Sequence, residues 1–89
     1  MLKILGGIMA VGFRSLEELY NRILPVLTVR RDELARMGYS YVKEVDIFEC
    51  LKQNKWNTKV HLTLTDLVHD IFHISIEEID DYLHKGDLV

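Results

Sequence analysis

The one proline of the chain, Pro25, stands in the middle of a stretch that otherwise reads as a single helix. Leu16, Leu19, Tyr20, Ile23, Leu24, Leu27, Leu34 and Met37 recur at spacings of three and four and fall on one stripe. Proline lacks an N–H and its ring crowds the preceding turn. Pro25 therefore removes the hydrogen bond to the Asn21 carbonyl and should kink the helix or split it in two. Ser15 and Glu18 form an S-x-x-E start signal, and Gly38 after Met37 is a stop.

That apolar stripe needs partners, and three shorter segments supply them. "GYSY" (38–41) is a turn, and a second helix follows over about 43–54. Ile47, Phe48, Cys50 and Leu51 make its inner face, with Asp46, Glu49, Lys52 and Gln53 outside. "NKWNTK" (54–59) is polar and turn-prone around Trp56. A buried tryptophan there plugs the edge of the core, whereas an exposed one would anchor a partner; the plug is the expectation. A third helix runs from about Leu64 to Phe72, capped by Thr63 with Asp66 at its third position. A last helix starts at Ser75, boxed by Glu78, turns Ile76, Ile79, Tyr82 and Leu83 inward, and ends at Gly86. "VHLTL" alternates too briefly for a strand. The reading is all-α: one small bundle of four to five short helices over residues 15–89, the first long helix kinked or split at Pro25.

Residues 1–14 are expected to be a loosely ordered apolar N-terminal segment. "MLKILGGIMAVGF" is too short to span a bilayer and lacks a clear signal-peptide cleavage site; Met9 is an alternative start. Eighty-nine residues suffice for one domain. The one cysteine, Cys50, cannot form an internal disulfide, so a reducing, cytoplasmic setting is expected, with Cys50 a small core residue.

"LVHDIFHI" (67–74) carries the strongest hint of chemistry. His69 and His73 lie one turn apart with Asp70 between them, like a shortened H-E-x-x-H zinc motif. On a helical wheel both histidines face away from the apolar stripe, and Asp66 and Asp70 share their side. A zinc enzyme needs a cleft, a third ligand and a base of glutamate length. His69 and His73 are therefore weak metal candidates on a solvated or partner-facing surface. No phosphate-binding loop or nucleophile elbow accompanies them, and neither an enzyme nor a cofactor is expected.

Charge is unevenly spread within a net of −3. Residues 1–59 hold ten Lys/Arg against seven Asp/Glu, a net of +3, and residues 60–89 hold one Lys against seven Asp/Glu, a net of −6. The acidic end, with Glu77, Asp80 and Asp81 on the last helix, suits either solvent or a basic partner. The competing surface gathers Arg30, Arg31, Arg36, Lys52, Lys55 and Lys59, with Trp56 nearby, and would contact nucleic acid if these converged.

Several short motifs together resemble one family. "LPVL…RMGYSYVKEVDIFECLKQNKW…LTDLVHDIFHIS" is similar to the ComN-type post-transcriptional regulators of Gram-positive bacteria. The likeness runs through Pro25, Gly38-Tyr39, Val42, Asp46-Ile47-Phe48, Leu51, Lys55-Trp56, Leu67-Val68 and Asp70-Ile71, over roughly residues 24–76. Lys43 departs from it, standing where a capping Ser or Thr would be expected. The resemblance implies control of gene expression after transcription, an association with mRNA of a late competence operon, and recruitment to the cell pole or division site through the scaffold DivIVA. The residues themselves add no RNA-reading feature: no exposed aromatic sheet, GXXG loop or arginine-rich tract. The expected function is thus a non-enzymatic adaptor acting mainly through a protein partner. The alternatives are direct RNA binding by the basic residues and, more weakly, metal binding by the histidines.

Overall fold

Pro25 does not split the first helix. In the computed structural model, which describes residues 15–58 and 62–84, helix α1 runs unbroken from Leu16 to Arg36 with Pro25 inside it. The two-helix alternative is overturned for a local reason. Asn21 and Pro25 are both exposed, so the carbonyl that loses its N–H partner faces water, which can serve it. Ile23 and Leu27, on either side of the proline, are both buried and keep the two halves on one stripe. Met37, expected on that stripe, is 63% exposed, because α1 stops at Arg36 and Met37 is already its cap.

The stop is made by Gly38. Its φ of 102° lies where side chains are strained. That turn lets the Tyr39 N–H reach the Leu34 carbonyl at 2.8 Å and the Gly38 N–H reach the Ala35 carbonyl at 3.0 Å. This 6→1 and 5→2 pair closes the helix end and folds Tyr39 back against the core.

Helix α2 spans Glu44–Asn54, a 3-10 turn covers Trp56–Thr58, and α3 and α4 span Leu64–His73 and Ile76–His84. No strand occurs among the described residues. Capping sets the starts. The Ser15 hydroxyl accepts the Glu18 N–H at 3.1 Å. Thr63 and Asp66 exchange both bonds of a capping box at 3.1 and 3.0 Å. Ser75 accepts the Glu78 N–H at 3.2 Å. Lys43 has no side-chain acceptor, so α2 uses only half of such a box: the Lys43 N–H donates to the Asp46 carboxylate at 2.9 Å.

Helix α2 lies at the centre and packs against α1, α3, α4 and the 3-10 turn. Ile47, Phe48, Cys50 and Leu51 are buried together with Leu19, Ile23, Leu27 and Leu34 of α1, Leu67 and Ile71 of α3, and Ile79 of α4. The link between α3 and α4 contributes buried Ile74, whose carbonyl accepts the Arg30 guanidinium at 2.8 Å and is thereby tied to α1. The 1–14 segment, Lys59 and Gly86 fall outside the described residues.

An exposed proline in a continuous helix is a stability reserve. Pro25→Ala should restore the missing bond and raise unfolding stability by about 1–3 kcal/mol, measured by urea denaturation. A fall in stability would mean that the proline shapes a bend the packing requires.

Candidate functional site

Asp70 is the site residue whose position the wheel gets wrong. It was expected beside the exposed histidines, yet it is only 8% exposed. On the wheel it lies about 60° from Leu67, at the edge of the buried arc, and two donors draw it inward. Its Oδ2 accepts the indole N–H of Trp56 at 2.9 Å, and its Oδ1 meets Lys55 Nζ at 3.0 Å. Burial pushes the Asp70 carboxyl up. The hydrogen bonds from Trp56 and Lys55 and the Lys55 charge outweigh that and hold it below the usual carboxylate range. Trp56 has no exposed surface. It is the expected plug and leaves a partner nothing to grip.

The basic candidates are largely spent on internal partners. Arg30 bridges Glu33 at 3.2 Å besides holding the Ile74 carbonyl. Arg31 bridges Asp32 at 2.8 Å and Glu44 at 2.9 Å. Lys52 bridges Glu49 at 2.9 Å, and Lys55 is taken by Asp70. Glu44 also accepts the Thr28 hydroxyl at 2.8 Å. Burial raises its pKa, but bonds from its own backbone, Thr28 and Arg31 bring it below its ordinary value. Arg36 is exposed at the far end of α1. Arg30 and Arg31 on α1, Lys52 on α2 and Lys55 just after it thus sit in separate ion pairs.

The acidic end is more open. Glu77 and Asp81 on α4 are exposed, and Glu78 serves the Ser75 cap. Asp80 accepts the Tyr41 hydroxyl at 2.5 Å, tying α4 to the α1–α2 turn and pushing the Tyr41 pKa up to about 12. His69 and His73 are exposed as expected. Their rings stack 4.0 Å apart at 16°, and His73 Nδ1 lies 2.7 Å from the His69 carbonyl. Parallel rings aim their nitrogens alongside each other, so one ion could bind both only after a ring turned. No group of three or more potential metal ligands occurs among the described residues.

Sequence reasoning missed a groove between α1 and α2. Leu16, Glu17 and Tyr20 line one wall, and Val45, Phe48 and Glu49 the other. The signal was Val45, an apolar residue just outside the inner face of α2 and 47% exposed. No helix among the described residues is long and apolar enough to cross a membrane.

A family model described as "Post-transcriptional regulator" matches residues 16–86, from the first residue of α1 to beyond the end of α4. No curated protein and no solved structure matches the chain.

The lowered Asp70 carboxyl has a pH signature. Above the unfolded value of about 3.9 its contribution to stability is complete. As pH falls through the lower folded value, the unfolded chain takes up the proton first and the contribution is lost. Glu44 acts in the same direction. Urea denaturation between about pH 6 and pH 2.5 should show the wild type losing stability through this window. Asp70→Asn should lose less, by up to about 1.4 kcal/mol per pH unit for one proton. Parallel pH curves would mean that the Asp70 carboxylate is not coupled to folding.

Proposed function

The chain belongs to the post-transcriptional regulator family, and we propose that it works there as a small non-enzymatic adaptor, influencing an mRNA through a protein partner. The observation that carries this reading is the contrast between its two charge sets. Arg30, Arg31, Lys52 and Lys55 are committed to carboxylates within the fold, whereas Glu77 and Asp81 stand exposed on α4. A surface that binds RNA directly releases counterions from phosphates, and that takes cations free to approach them. Cations already partly neutralised by Glu33, Asp32, Glu44, Glu49 and Asp70 present less net positive charge to a phosphate, which disfavours the direct-binding alternative.

The ComN-type resemblance supplies the finer form of the proposal. In that form the regulated message belongs to a late competence operon, and the protein partner is the pole and division-site scaffold DivIVA. The acidic end of α4 is then the surface that steers a basic region of the partner. Asp80 has a double part, since its bond to Tyr41 also fixes α4 against the α1–α2 turn.

The test is partner binding at about 0.05 and 0.5 M salt, where screening lengths differ roughly threefold. Wild-type protein should associate faster at low salt. The triple variant Glu77→Gln, Asp80→Asn, Asp81→Asn should fold normally, associate more slowly and respond less to salt. Equal association rates for both proteins at both salt concentrations would reduce the acidic end to solvated surface.

A further inference from the structure

The α1–α2 groove has the features of an anchoring site. It is open and holds about 290 Å³. That is below the roughly 300–1,000 Å³ typical of sites for drug-sized molecules and better matched to one or two side chains. Its floor is aromatic and braced from behind. Tyr20 meets Phe48 edge-to-face at 5.1 Å and 82°, and Phe48 meets Trp56 at 5.9 Å and 72°. Trp56 is in turn held by Asp70. A floor fixed in this way loses little freedom when something binds to it. On the rim, Val45 exposes nearly half its surface among the described residues.

The lips are acidic. Glu17 stands exposed on the α1 side and Glu49 lines the α2 side. Asp46 lies close enough, with Glu44, for their charges to add to burial in raising the Tyr20 pKa. Glu49 and Glu44 have internal cations in Lys52 and Arg31. Among the described residues Asp46 holds only a neutral backbone N–H of Lys43 in its capping bond, so its charge still acts on the groove. Apolar walls between carboxylates repel phosphate and favour an apolar side chain flanked by cations.

We propose that the groove formed by Leu16, Tyr20, Val45 and Phe48, with Glu17, Asp46 and Glu49 around it, docks a cationic amphipathic segment of a partner protein. The segment inserts one or two apolar side chains and sets Lys or Arg against the acidic lips, the helix-in-groove mode of recognition. This rests on the adaptor reading and names the anchor that the acidic α4 surface would lack by itself.

The experiment titrates the full chain into a fluorescein-labelled 14-residue peptide with Leu and Lys on opposite helical faces, and into its Leu/Glu counterpart. The Leu/Lys peptide should bind at least tenfold more tightly. Val45→Lys, at an exposed position, should weaken it about tenfold with an unchanged thermal melt, while Glu77→Lys on α4 should change it less than twofold. Three results would overturn the proposal: no binding of the Leu/Lys peptide, equal binding of the two peptides, or equal damage from Glu77→Lys. A photo-crosslinking benzoylphenylalanine in place of Val45 should capture the peptide. Capture of residues 1–13 of its own chain instead would make the groove self-occupied and also overturn the proposal. If the groove fails while the α4 triple variant still slows partner association, the anchor is lost and the adaptor reading stands.

Discussion

The fold depends on one buried carboxylate. Asp70 lies on α3, but its two shortest contacts are to Trp56 and Lys55, the residues that follow the end of α2. It therefore joins the third helix to the exit of the second. Taking a carboxylate out of water costs several kcal/mol, which the half-exposed Lys55 and the buried indole N–H offset. What the pair gives the molecule is position. An indole buries roughly 150–250 Å², an apolar gain of up to about 4–6 kcal/mol, but only if its N–H finds an acceptor. Asp70 is that acceptor, and it fixes the face that Trp56 turns towards Phe48.

From that point order passes outward through aromatic edges. Trp56 backs Phe48, Phe48 backs Tyr20, and Tyr20 lines the surface groove between α1 and α2. The Asp70–Trp56 bond thus braces the groove between α1 and α2 through this chain of rings. The same economy governs the remaining charges. Arg30 clips α1 to the α3–α4 link and Arg31 clips α1 to α2 through Glu44. Arg30, Arg31 and Lys55, which look like a nucleic-acid surface in the sequence, work as internal fasteners, while Glu77 and Asp81 on α4 and Glu17 beside the groove face outward.

Most of the fold was legible because its signals are local. Thr63 with Asp66 and Ser75 with Glu78 mark starts within one turn, and Gly38 marks a stop by the backbone angle it alone adopts easily. The inner face of α2 could be read from Ile47, Phe48, Cys50 and Leu51 because period and burial agree there. Three features escaped for reasons of tertiary context. Pro25 is tolerated because the carbonyl it orphans faces water, which a one-dimensional pattern does not record. Asp70 is polar by type and marginal by angle, and only the arrival of Trp56 and Lys55 decides that it turns inward. The groove depends on two helices meeting with Val45 at the seam, so no single segment announces it. A resemblance to the post-transcriptional regulators could be read from the spacing of many small motifs, whereas the candidate surfaces came from their assembly.

The central claim is that Asp70 and Trp56 act as a unit, and a double-mutant cycle tests it directly. Trp56→Phe removes the indole N–H while keeping an aromatic plug, and Asp70→Ala removes the acceptor. Unfolding free energies of the wild type, both single variants and the double variant give the coupling. A buried hydrogen bond to a charged group should appear as about 1.5–3 kcal/mol of non-additivity. Additivity within about 0.5 kcal/mol would contradict the account and leave Trp56 held by packing alone.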